Sequence, residues 1–222
     1  MHETNRDPAD AFRRAPPGTP CAGTAMYRRV QADPGPALIR QDAGMDWLAD
    51  IGLGLDHNSL RLDRTTPDWV DAGARLRREV ADRLAGFAAG VEQIGSSSVK
   101  GLLAKPIVDL AIGLTADQEL TPVRERLESA GWIYRGDAGA QGGHVFVLES
   151  APSHCVAHAH VVGHLGEQWL DYLRLRNLLR RSPGARQRYE DTKLRLINEV
   201  GDNRTVYTEG KTEIVASLLE EA

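Results

Sequence analysis

The sequence predicts an α+β or mixed α/β domain folded as one compact unit. Three observations carry this. Apolar residues recur at helical spacing over residues 66–87, short apolar runs broken by glycine and serine follow between residues 90 and 163, and the pattern turns helical again from Glu167 onward. The order is therefore a helix, a mixed sheet interrupted by a helix, and a helical C-terminal third, a grouping that packs helices against a sheet around one core.

Order is expected to begin near Met45. "SLRLD" (59–63) reads as a short strand. Thr66 then caps a helix with Pro67 in its first turn, and Trp69, Val70, Leu76, Val80, Leu84 and Phe87 mark its apolar stripe. "GVEQI" (90–94) and "PIVDLAIGL" (106–114) read as strands, and Thr121-Pro122 to Gly131 as a short helix. "WIYRG" and "HVFVLES" read as strands around the Gly-rich link 134–144, a hairpin connection or, alternatively, a mobile loop over a cleft. "CVAHAHVVG" (155–163) is a further strand, and three helical stretches close the chain.

Composition bounds the function. The 222 residues suffice for one domain with a real core, and 41% hydrophobic with 26% charged residues is globular usage. The net charge of -4 argues against general nucleic-acid binding. No apolar run approaches the roughly 18 residues of a membrane span, and the N-terminus lacks the apolar core of a secretory signal. Cys21 and Cys155 form no CxxC pair, so neither a cysteine zinc site nor a disulfide framework is indicated. The chain reads as cytoplasmic, with reduced thiols. Residues 1–44, rich in Pro, Gly, Ala and charge, read as a disordered or extension segment, with a docking arm as the alternative; residues 45–222 form the domain.

The chemistry centres on "IGSSSVKGLLAKPIVDLAIG" (94–113). On an extended strand Asp109, Ala111 and Gly113 share one face, while Val108, Leu110 and Ile112 share the other. A carboxylate beside small residues on a half-buried face needs a metal, a cation or water; the plain alternative is a salt bridge to Lys105 or an arginine. Gly95 permits a tight turn, and Ser96, Ser97 and Ser98 supply hydroxyls that, with backbone N–H groups, suit phosphate oxygens. His158 and His160, two apart, face one side of their strand. Joined to Asp109, two imidazoles would prefer Mn, Fe or Zn over Mg. They could instead contact phosphate, act as acid and base, or sit hydrogen-bonded in a wet groove. His144, His154 and His164 read as solvent-facing loop or strand-edge residues.

The stretch resembles the GrpB family, whose pattern is close to "HIGSTSVPGLxAKPIIDI" and which is sometimes fused to dephospho-CoA kinase. Gly95, Ser96, Ser98, Val99, Gly101, Leu102, Ala104, Lys105, Pro106 and Asp109 match. The likeness continues at "AHAHVV", "LRLRNLLR", "YEDTKLRL" and "YTEGKTEIV", covering residues 58–222 and bringing in Arg176, Lys193, Tyr207 and Lys211. It implies a nucleotidyltransferase-like mixed sheet flanked by helices. The activity implied is nucleotidyl or phosphoryl transfer from a nucleoside triphosphate to a small-molecule acceptor, with a divalent metal. In that reading Gly95, Ser96 and Ser98 hold phosphate, Asp109, His158 and His160 hold the metal, and Lys105, Arg176, Lys193 and Lys211 neutralise charge. Arg176 and Lys193 could equally pair with acidic residues on neighbouring helices. Three positions depart from the pattern: Gln93 stands for the family's His, Lys100 for its Pro, and Ala111 where a second acid is expected. The second reading is a regulatory module that binds a nucleotide or CoA-like ligand without turnover.

Overall fold

The structure, a computed structural model, describes residues 46–57, 59–137, 143–201 and 203–222. The expectation for residues 1–44 and the centre of the Gly-rich link fall outside the described residues.

A short helix α1 (Asp46–Asp50) and two two-residue strands, β1 (Leu55–Asp56) and β2 (Asp63–Arg64), precede the first long helix, α2 (Pro67–Arg83). The Thr66 side chain accepts the Trp69 N–H and Pro67 opens the first turn, so the capping chemistry read from the sequence starts α2. Strand β3 (Gly90–Ile94) runs into a 3₁₀ turn at Ser96–Ser98. Then come β4 (Leu103–Ala104), β5 (Val108–Leu114), α3 (Leu120–Ser129) and the antiparallel pair β6 (Trp132–Asp137) and β7 (His144–Ala151). Strand β8 (His154–Gly163) completes the sheet, and the chain ends in α4 (Glu167–Arg181), α5 (Pro183–Val200), α6 (Arg204–Glu209) and α7 (Thr212–Glu220).

The main sheet is mixed, in the order β3-β5-β8-β7-β6. Among the described residues only β5 and β8 run parallel, and β1 adds to the start of β8. One face packs on α2 and α3: Val91, Val108, Leu110, Ile112, Phe146 and Ala159 meet Trp69, Leu76, Val80, Val123 and Leu127. The other face meets α4, where Ile94, Ala111 and Val162 surround Trp169. Helices α4, α5 and α7 then close over Val99 and Leu102, just beyond the serine turn.

Several expected boundaries shift. The strand read at 59–63 reduces to Asp63–Arg64, which pairs with β4 rather than with the main sheet. Helix α3 starts at Leu120 after Glu119, not at a Thr121 cap; Pro122 sits in the first turn, where the backbone N–H has no helical partner to lose. The last stretch, read as helical from Glu209, begins its helix only at Thr212, and a further helix, α6, precedes it. Between them lies Gly210, whose Cα is so close to Leu196 that a Cβ there would be 2.5 Å from Leu196 Cδ2.

Candidate functional site

The site is built where β5 and β8 run side by side. Their register sets Asp109 opposite His158 and Ala111 opposite His160, so the carboxylate and both imidazoles project from one face. One ligand atom from each of Asp109, His158 and His160 lies within 4.8 Å of the other two. Atoms ligating one ion at about 2.1 Å lie within ~4.2 Å of each other. The three ligand atoms are thus within a small side-chain rotation of the spacing that one shared ion would require. The two imidazoles stand nearly perpendicular, ring centres 6.3 Å apart, and Tyr172 of α4 walls the His160 side at 5.6 Å.

The serine turn meets Asp109 directly. Gly95 has φ 71 and ψ -179, a region open essentially to glycine alone. A Cβ at that position would fall 2.4 Å from Asp109 Oδ2. Gly95 is thus required twice, by the turn's geometry and by the carboxylate lying across it. Ser98 Oγ donates to Gly95 O at 2.7 Å and closes the turn from within. Ser96 remains on the site side, its Oγ 3.1 Å from Lys193 Nζ, with Tyr189 close enough to be influenced by it.

Electrostatics divides the two histidines. Burial disfavours the imidazolium of His158, but Cys155 and the Asp109 carboxylate, 3.3 Å from Nδ1, outweigh it and hold its pKa at about 9. Burial, only partly opposed by Asp109, drives His160 down to about 4. Burial would raise Asp109, yet the His158 hydrogen bond and the positive field of His158, His160 and Lys105 leave it below the ordinary carboxylate value. Near neutral pH the face therefore holds an anionic carboxylate, one protonated and one neutral imidazole.

The lysines bring excess positive charge. Lys105 acts on both Asp109 and His160, and Lys211 lies within Asp109's field. Lys193 is 2% exposed and holds the back of the turn, donating to Ser96 Oγ and Leu103 O. Burial lowers its pKa far below the usual lysine value, Lys211 adds repulsion, and Glu190 opposes the shift. Tyr207 is buried against Leu60 and Leu196, with Lys211 Nζ 4.9 Å over its ring. Arg176 is occupied: its Nη1 donates to Glu92 Oε2 and to Gln93 O, both at 2.8 Å, and ties α4 to β3. Arg180, one turn on, donates to Ser98 O.

Two departures from the family pattern now have locations. Gln93 points to the opposite face of the sheet, against Gly73 of α2, where a Cβ would lie 2.0 Å from its Nε2; the residue in that position does not face Asp109. Ala111 is fully buried beneath Trp169, so an acid there would face an indole rather than solvent. Two residues not counted among the site candidates lie behind the turn: Tyr189, whose core spacing the structure bears out and which sits beside Ser96, and Glu190, which accepts the Leu103 N–H at 2.8 Å. Nothing local in the sequence separates a core tyrosine from one that also sits beside a site. The other histidines are not simply solvent-facing. His144 bonds Tyr134, His154 bonds Asp56, and His164 packs on Trp169.

A family profile described as "GrpB protein" matches residues 59–221. The chain belongs to the GrpB family. It is 32% identical to a "UPF0157 protein" of Deinococcus radiodurans over 177 residues, which cover 78% of this chain and 89% of that relative. It is 29% identical to "Glutamate-rich protein GrpB" of Alkalihalophilus pseudofirmus over 136 residues, 59% of this chain and 77% of the other. The crystal structure of the conserved protein GrpB from Enterococcus faecalis superposes with a TM-score of 0.62 at 25% identity, covering 72% of this chain and 96% of that one. Among the described residues no helix is long and apolar enough to cross a membrane.

Proposed function

We propose that this GrpB-family chain is a nucleotidyltransferase-like enzyme of the cytoplasm that moves a nucleotidyl or phosphoryl group from a nucleoside triphosphate to a small-molecule acceptor. The observation that carries the reading is the convergence of Asp109, His158 and His160 within 4.8 Å beside a glycine-serine turn ringed by lysines. A divalent metal held by these three residues would draw charge from the phosphate oxygens, and the imidazoles favour Mn, Fe or Zn over Mg.

The chain's own groups supply the rest. Ser96 and the backbone N–H groups of the turn hold phosphate oxygens. Lys105 and Lys211 neutralise the charge that spreads over them as the bond to phosphorus breaks. Lys193 keeps Ser96 aimed. Arg176 would join only by exchanging Glu92 for a phosphate.

The test is to incubate the protein with each triphosphate across a divalent-metal panel and candidate acceptors, and to measure pyrophosphate release or acceptor modification. Metal-dependent turnover that disappears in Asp109→Ala supports transfer. Tight nucleotide binding without turnover under any metal favours the second reading, a binding module for a nucleotide or CoA-like ligand. The burial of Ala111 under Trp169 speaks for that second reading, because it removes the place where a second metal-binding acid would stand.

A further inference from the structure

A second positively charged recess lies apart from the Asp109 face, where the start of α5 meets the segment between the serine turn and β4. It is a cavity of about 280 Å³ whose walls include Arg64, Lys100, Gly101, Arg186, Gln187 and Glu190. Three cations face one carboxylate there, in a chain whose net charge is -4. We infer that this recess is a second ligand site, for a small phosphate monoester.

The donors are arranged for an oxyanion. Arg64 Nη1 uses its hydrogens on Gly101 O at 2.9 Å and Glu190 Oε1 at 2.6 Å. That anchors one edge of the guanidinium and leaves Nε and Nη2, with three of its five N–H donors, for a ligand. Arg186 is half-buried, and among the described residues neither it nor Lys100 has an acidic partner. Glu190 does not cancel the excess: one of its oxygens already serves both Arg64 and the Leu103 N–H. A guanidinium held on one edge by protein acceptors grips phosphate or carboxylate bidentately with the other. The volume sits just under the ~300 Å³ at which pockets begin to enclose drug-sized ligands, which suits a compact phosphate ester rather than a whole nucleotide.

The site is independent of metal. Inorganic phosphate is titrated into the metal-free full-length protein, followed by amide ¹H–¹⁵N chemical shifts. Saturable shifts should centre on Lys100, Gly101, Arg186 and Gln187. Arg186→Gln and Lys100→Gln should each weaken binding about tenfold, as expected for losing one charge-assisted contact; among the described residues neither change removes an ion pair. Asp109→Ala should leave this binding unchanged, which separates failure of this site from failure of the transfer reaction. Shifts confined to Gly95–Ser98 and Lys211, or an affinity unaltered in both glutamine variants, would overturn the assignment.

Discussion

Gly95 and Asp109 occupy adjoining space, and the site depends on neither being larger. Gly95→Ala would place a methyl 2.4 Å from Asp109 Oδ2 at a backbone conformation that non-glycine residues rarely adopt. Such strain costs about 1–3 kcal/mol, and relieving it means moving the carboxylate off the turn. The variant should therefore lose divalent-metal affinity as well as urea stability, whereas Asp109→Asn should lose at least ~100-fold in affinity with its turn intact, the upper range seen even for outer-shell changes. Manganese binding measured beside urea unfolding separates the two. Full affinity in Gly95→Ala would show that the turn does not position Asp109. The alternation on β5 made the two faces of "VDLAIG" legible in the sequence, with Asp109 on one and Leu110 on the other. It could not reveal that the Ala111 face is roofed by Trp169, because that contact joins residues far apart in the chain.

Helix α5 shows how a supporting element serves the site. Glu190 and Lys193 lie three apart and so share a face. They grip the Leu103 peptide from both ends, Glu190 accepting its N–H and Lys193 donating to its carbonyl. Glu190→Ala would remove the acid that opposes the downward shift of Lys193 and would leave the Leu103 N–H without its acceptor, at a cost of about 1–3 kcal/mol, the range for an unsatisfied buried donor. Differential denaturation tests this, and a loss below experimental error would mean that the clamp is solvated.

Lys193 also gives a pH signature. Its folded pKa lies below the ordinary 10.5, through burial and repulsion from Lys211, Lys105 and Arg64, with Glu190 opposing. Between the folded value and 10.5 the unfolded chain binds more protons, so stability rises with pH across that window and falls as pH drops through the folded pKa. Lys211 shifts in the same direction and adds to the slope, while Tyr189, raised by burial, acts only at higher pH. His158, raised to about 9, contributes a falling slope up to about pH 9 in both proteins, so the Lys193 contribution is read as a difference. The urea midpoint of the native protein relative to Lys193→Met should climb from about pH 8 to about pH 10; parallel profiles would contradict the assignment. The helical period of α5 was readable from the sequence, and Lys193 stood out through its motif. The role of Glu190 was not readable, because its partners Arg64 and Leu103 lie on strands too short to leave a periodic signal.

Across the whole molecule, the two halves of the chain meet at the site. The sheet supplies Asp109, His158 and His160, the turn supplies Ser96, and the C-terminal helices supply Tyr172, Tyr189, Lys193 and Lys211. Arg176 and Trp169 dock α4 onto the sheet, and α5 and α7 close behind the turn. The mixed α+β class followed from the order of periodic segments, whereas the docking of the last helices on the second face depends on tertiary packing that no single segment carries. Because the ligand set exists only in the assembled fold, a metal that binds it must stabilise the entire unit. At a free concentration of about 100 times Kd the gain is ~2.7 kcal/mol, roughly 5–10 °C for a domain of this size. Manganese or zinc should therefore raise the melting temperature of the native protein by that amount in one cooperative transition. Asp109→Ala should show no such rise, and Arg186→Gln should keep it in full. A metal-induced shift of equal size in Asp109→Ala would place the metal elsewhere and remove the Asp109–His158–His160 centre from the argument.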